Sequence, residues 1–130
     1  MALERFNPEG MPPPISPYVN VVRARGMLVF VSGQVAMDER GQVVGVGDVE
    51  AQARLALEHV GRGLRAAGAE PSHVTKVTIY VRNMEDRVKI VPIRARFFGE
   101  TLPASTIVEV SKLAHPDLLI EIEAVAVIPE

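Results

Sequence analysis

The chain has 130 residues, a formal net charge of −2 and no cysteine. Its length predicts one domain spanning residues 1–130, because domains usually hold about 100–200 residues. The lack of cysteine excludes disulfides, thiol catalysis and cysteine–metal sites. No stretch is strongly basic, which makes nucleic acid an unlikely main partner. No apolar run approaches the roughly 20 residues of a membrane span, and the N-terminus lacks a signal pattern. We therefore expect a cytoplasmic protein with no membrane partner.

The N-terminal third predicts an irregular segment followed by two strands. Residues 1–14 include three consecutive prolines, which lack backbone donors and hold the chain extended. Apolar stretches predict strands at residues 18–23 and 27–31, joined by a hairpin turn at residues 23–26. Gly33 is expected to end the second strand.

A glycine-containing loop and the clearest helix follow. Residues 38–47 hold three glycines and predict a loop, with a short strand at residues 42–44. From residue 48 to residue 67 the apolar positions recur at steps of three and four, which indicates a helix. Asp48 is a suitable N-cap because its carboxylate accepts from the free amides of the first turn. Gly68 suits the left-handed residue after the helix.

The second half predicts a strand at residues 74–81 and a second helix at residues 91–99. Pro92 would then lie in the first turn of this helix, where proline is tolerated. The face expected to turn inward consists of Val91, Ala95 and Phe98.

The last third predicts two more strands, at residues 105–110 and 118–127. In the second, small and apolar residues alternate with a set that includes Glu121 and Glu123. Successive side chains of a strand point to opposite faces, so the two carboxylates share one face. Either that face is partly in water, or it lines a site.

The order of elements predicts an α+β fold, with one mixed sheet packed on two helices. The helices cover one face of the sheet, and 130 residues supply no third layer for the other. We therefore expect an oligomer in which sheets from several copies meet.

No residue pattern indicates a metal or a cofactor. His59, His73 and His115 are scattered without metal-ligand spacing, and surface or capping roles suit them better. Neither a dinucleotide-binding glycine pattern nor a phosphate-binding loop occurs. We expect no cofactor.

The C-terminal stretch resembles the RidA family, also called the YjgF or L-PSP family. Pro103–Ala104 opens a strand, Val108–Val110 reads V-E-V, and Ile120–Val127 reads I-E-I-E-A-V-A-V. Upstream, Ser16–Tyr18 and Val31–Gln34 are similar to the family's two earlier site segments. The resemblance implies a chorismate-mutase-like fold. It also implies a homotrimer with a central β-barrel and a small-molecule ligand pocket at each subunit interface.

The resemblance also implies the site residues. The family's site tyrosine corresponds to Tyr18, its serine to Ser32, and its water-positioning catalytic glutamate to Glu121. Without the resemblance, the same residues read as a core tyrosine, a serine at a strand end and a carboxylate on a solvated strand face.

Three positions depart from the family's pattern. Deaminating members carry a carboxylate-binding arginine where this chain has Ser105, and typical members carry an asparagine at the position of Val91. Ile107 stands at a position that is often cysteine in the family. The pocket is therefore expected to be less cationic and more apolar. Arg94, about one helical turn from Val91, either reaches the site in place of the missing arginine or faces solvent.

Three functions remain open from the sequence. The first is hydrolysis of reactive enamines or imines that are less acidic than the usual family substrate, or neutral. The second is a non-catalytic ligand-binding or regulatory trimer. The third is the endoribonuclease or translation-inhibitor activity attached to some relatives; the acidic balance and the sparse aromatic residues weigh against it.

Overall fold

The computed structural model describes residues 3–130, and it is an α+β fold as the sequence predicts. Two helices pack on a four-stranded mixed sheet, beside a separate two-stranded ribbon. The elements are β1 Glu4–Phe6, β2 Val21–Arg23, β3 Gly26–Val35, α1 Val49–Ala66, β4 Val74–Val81, α2 Arg87–Phe98, β5 Ala104–Glu109 and β6 Ile120–Pro129. The strand order is β3-β6-β4-β5, with β4 and β5 parallel and the other pairs antiparallel.

Strand β6 lies inside the sheet, and its alternation separates two environments. Ile120, Ile122, Ala124 and Ala126 are buried under the helices. The opposite side of the sheet, which we call the open face, carries Glu121 and Glu123, both half-buried. The prediction that these carboxylates share one strand face is confirmed.

Helix α1 follows the sequence prediction at both ends. The Asp48 carboxylate accepts a hydrogen bond from the Ala51 amide at 3.0 Å, so the predicted N-cap is confirmed. Gly68 has a φ of 83°, the left-handed conformation expected after the helix. Within the helix, Gly63 lies against Val31 of β3, where an added Cβ would be only 3.4 Å from a Val31 methyl carbon.

The N-terminal region differs from the prediction. Strand β1 falls in the segment expected to be irregular, and it pairs with β2, which is only three residues long. Because β2 and β3 belong to different sheets, residues 23–26 form no hairpin. A three-residue strand is too short to show alternation, and Arg5 anchors it by donating to the carbonyls of Ser72 and Leu102.

Helix α2 begins four residues before the predicted start. Pro92 therefore lies in the second turn, inside the helix. Its buried residues are Ile90, Arg94 and Phe98, whereas the expected Val91 and Ala95 are half-buried. The helix tolerates the proline because this buried face packs on both sides of it.

Strand β3 continues past its predicted end at Gly33. A β-bulge between Val31 and Gln34 sets two residues against one on β6, and the strand runs on to Val35. The short strand predicted at residues 42–44 is reduced to one isolated bridge between Met37 and Val43.

The open face carries large apolar side chains in the single protomer. Leu28 is 61% exposed and Phe30 is 73% exposed, both on β3. In the described part of the chain, no helix is both long and apolar enough to cross a membrane.

Candidate functional site

A pocket of about 270 Å³ lies between α2, strand β5 and the loop before β2; we call it the α2 pocket. Four of the six predicted site residues line it together: Tyr18, Val91, Ser105 and Ile107. Ser105 and Ile107 alternate along β5 and face the helices, because they pair with the buried residues Val77 and Ile79 of β4. The structure thus assembles a site from three distant parts of the sequence.

Arg94 reaches this pocket, which settles the alternative that the sequence left open. Its side chain is only 4% exposed. Nη1 donates to the Ser105 hydroxyl at 2.7 Å, and Nη2 donates to the Pro17 carbonyl at 3.2 Å. Nε is buried and has no acceptor. The guanidinium is therefore fixed in place, yet one of its buried donors is unpaired.

The charge of Arg94 has no counterion within residues 3–130. The ion pairs there are Arg23–Glu4 and the contact of His115 with Asp117. Burial lowers the pKa of the Arg94 guanidinium, and the nearby Tyr18 phenol opposes that shift. Arginine nevertheless keeps its proton in proteins, because a guanidinium is a very weak acid. The α2 pocket therefore contains a permanent, buried positive charge.

Glu121 does not belong to the α2 pocket of its own protomer. It pairs with Tyr80 of β4, whose neighbour Ile79 lines the pocket from the other face of the sheet. Ser32, which is exposed on β3, is also absent from the pocket lining. Within one protomer the six predicted residues therefore form two groups.

The bulge in β3 shapes the surroundings of Glu121. A Cβ added to Gly33 would overlap the Glu121 carboxylate, so this side chain lies directly against the β3 backbone. The sequence indicated Gly33 as a strand end inside a segment that is similar to one of the family's site segments. Its function in the structure is to leave room for a carboxylate that would otherwise be displaced.

A hydrogen bond beside Glu121 was not found from the sequence. The Tyr80 hydroxyl donates to the Glu123 carboxylate at 2.5 Å. This bond raises the pKa of Tyr80, with smaller effects in the same direction from burial and from the charge of Glu121. Only the pairing of β4 with β6 reveals this contact, because the two residues are 43 positions apart.

The histidines bond to the backbone rather than forming a site. His59 donates to the Met37 carbonyl at 2.8 Å. His73 and His115 each accept a bond from a backbone amide within three residues. Among residues 3–130, no group of three or more acidic or histidine side chains is arranged to hold a metal ion.

A larger groove of about 650 Å³ runs between the outer sides of α1 and α2. Its floor includes Leu57, Ile93 and Phe97, and charged side chains surround it. None of the predicted site residues borders it, and it holds no buried charge. We therefore place the candidate site in the smaller pocket, where polar groups converge.

Comparison with known proteins gives consistent results. Residues 9–128 match the family profile described as Endoribonuclease L-PSP. The 3-aminoacrylate deaminase RutC of Acinetobacter baylyi is 42% identical, covering 97% of this chain and 98% of its own. A 2-iminobutanoate/2-iminopropanoate deaminase of Salmonella typhimurium is 39% identical, covering 92% and 93%. The crystal structure of a Rid family protein from Yersinia pestis has a TM-score of 0.89 at 34% identity, covering 98% and 100%.

Proposed function

The chain belongs to the RidA/YjgF family of endoribonuclease L-PSP proteins, and we propose that it hydrolyses reactive enamines or imines to a carbonyl compound and ammonia. The observation that carries this proposal is the convergence of Tyr18, Ser105 and a buried cation in one small pocket. Relatives named as deaminases of 3-aminoacrylate and of 2-iminobutanoate support the reaction type.

The reaction needs a water molecule and a group that moves protons. An enamine first takes a proton at its β-carbon, which converts it to the iminium ion. Water then adds to the imine carbon, the C=N bond becomes a single bond, and the carbinolamine expels ammonia as the carbonyl forms. A carboxylate that accepts a proton from the water and returns one to the leaving amine accelerates both steps. Glu121 is the residue that we assign to this function.

We infer that Glu121 serves the α2 pocket of a neighbouring copy. It lies on the open face, whereas the pocket lies on the helix face, so one protomer cannot bring the two together. Leu28 and Phe30 leave an apolar surface on the same face of the sheet, and this surface needs cover. A homotrimer whose three open faces form a central barrel would bury this surface and complete each pocket with the next copy's carboxylate.

We also propose an altered substrate range. Ser105 stands where the deaminating members carry an arginine, and its hydroxyl already accepts from Arg94. We expect a guanidinium that enters from α2 rather than from β5 to hold its ligand at a different angle to the reacting carbon. The proper test is therefore a panel of small imines and enamines of varied chain length, rather than one substrate.

The catalytic assignment is tested by measuring ammonia release from this panel. We expect the wild-type protein to exceed the buffer rate, and Glu121→Gln to lower turnover by about 10²–10⁴-fold, the usual contribution of acid–base catalysis. Glu58→Gln, an exposed change of the same charge on α1, is the control. Binding of these compounds without turnover would favour the regulatory alternative. Cleavage of RNA by wild type but not by Glu121→Gln would favour the ribonuclease.

The assembly is tested by sedimentation. We expect wild type to be a trimer and Phe30→Glu to be a monomer without turnover, because a charge in the barrel would separate the sheets. Val88→Glu is the matched control, since Val88 is 71% exposed on α2, away from the open face. A wild-type protein that remains monomeric at micromolar concentration would contradict the assembly.

A further inference from the structure

We propose that Arg94, which enters the α2 pocket from helix α2, is the residue that binds the substrate carboxylate, in place of the arginine that the deaminating members carry at the position of Ser105. This inference rests on the proposed function, and it names the residue that selects the substrate. It differs from the sequence-based expectation of a less acidic or neutral substrate, which depended on the departures from the family's pattern at Ser105, Val91 and Ile107.

The burial of Arg94 is not balanced by its protein contacts. Removing a charge from water destabilises the protein unless an opposite charge and full hydrogen bonding compensate. Arg94 is 4% exposed, and its two acceptors, the Ser105 hydroxyl and the Pro17 carbonyl, are both neutral. A ligand carboxylate would supply the missing negative charge.

Spare donors remain for that ligand. A guanidinium has five N–H groups in one plane, and the protein uses two of them. Nε, which has no partner, is among the three that are left. A carboxylate suits this arrangement because a planar fork of donors matches two oxygen atoms. Ser105 then has a positioning function, since it holds Nη1 and fixes the orientation of the fork.

The other residues of the pocket limit the charge, the polarity and the size of the ligand. Arg87, two helical turns before Arg94 on the same side of α2, adds a second positive charge to the lining. Ile79, Ile90 and Ile107 provide apolar walls. A volume of about 270 Å³ suits a short aliphatic acid rather than a nucleotide. The chemistry indicates an aliphatic imino or enamino acid.

The test compares two stable ketones that mimic the imine: 2-oxobutanoate and its neutral amide, 2-oxobutanamide. Each is titrated calorimetrically into the wild-type full chain. We expect the carboxylate to bind about 10–100-fold more tightly, the ratio that one charge-assisted hydrogen bond supplies. Arg94→Met should remove this preference. Arg96→Met, which removes an exposed cation two residues along the same helix, should keep it.

The outcomes separate this inference from the proposed function. Equal binding of both ketones by wild type overturns the anion site. Equal binding would also result if a carboxylate of a neighbouring copy already paired with Arg94, and that outcome overturns the anion site as well. A carboxylate preference without turnover on any imine leaves the anion site standing and removes the hydrolase. Turnover of an imine without a preference for the carboxylate leaves the hydrolase standing and removes the anion site. If Arg94→Met fails to fold, Arg87→Met decides the matter: we expect this variant to keep the preference, and its loss would assign the anion site to Arg87 and overturn the inference.

Discussion

Gln52 and Arg94 are the two polar side chains buried in the described part of the chain, and their surroundings differ. The Gln52 amide donates to the carbonyls of Gly45 and Asp117, at 3.1 and 2.9 Å, and accepts from the Leu119 amide at 2.8 Å. It is neutral and fully paired. Arg94 is charged, has two neutral acceptors and retains an unpaired Nε.

The difference separates a structural group from a functional one. Gln52 fastens two loops to α1, both of its N–H donors are used, and its oxygen is bonded to a backbone amide. Arg94 costs stability through its burial, and it faces a pocket that could hold a compensating anion. Such a cost is expected where a ligand, rather than the fold, completes the interactions.

The largest effect is expected at Gln52. Gln52→Leu keeps the side chain's size but leaves the Leu119 amide and the Asp117 carbonyl without partners, each worth about 1–3 kcal/mol when buried. It also removes one of the two hydrogen bonds to the Gly45 carbonyl, which still accepts from the Asp48 amide. We expect the free energy of unfolding to fall by about 3 kcal/mol or more, measured by urea denaturation. An unchanged denaturation midpoint would show that water replaces these hydrogen bonds, and Gln52 would then not differ from Arg94 as a structural residue.

The opposite sign is expected at Arg94. Without ligand, Arg94→Met should leave the free energy of unfolding unchanged or increase it by about 1–2 kcal/mol, because an apolar side chain avoids the cost of burying a charge. The same denaturation experiment, with Arg96→Met as control, measures it. A loss as large as that of Gln52→Leu would make Arg94 a structural residue.

The smallest effect is expected when the charge is moved between α2 and β5. Ser105→Arg alone would bring two guanidinium groups together, since Arg94 contacts the Ser105 hydroxyl at 2.7 Å, and should destabilise the protein modestly. The double variant Ser105→Arg with Arg94→Met carries one cation on the strand and should recover carboxylate binding. If the double variant does not recover carboxylate binding, the two positions do not share one ligand.

Much of the fold could be predicted because its main elements bury one face each. The alternation of β6 and the three–four periodicity of α1 follow from that burial. Strand β1 carries no such signal in its three residues. The start of α2 was misplaced because Pro92 suggested a first turn, whereas the buried face begins at Ile90.

The site was predictable in part. The resemblance identified four residues that the structure brings into one pocket. The sequence does not decide whether Arg94 reaches the pocket, because charged helix residues usually face water. The available signal is its spacing of four residues from both Ile90 and Phe98, which are buried. The proposed contribution of Glu121 to another copy's pocket cannot be read from one chain, because alternation gives the face of a strand but not its neighbour.

The most direct test is a crystal structure of the protein grown with 2-oxobutanoate. We expect a trimer, with the ligand carboxylate within hydrogen-bond distance of the Arg94 guanidinium and its carbonyl carbon facing Glu121 of an adjacent copy. A carboxylate bound elsewhere, or an α2 pocket closed by a protein side chain paired with Arg94, would contradict the account.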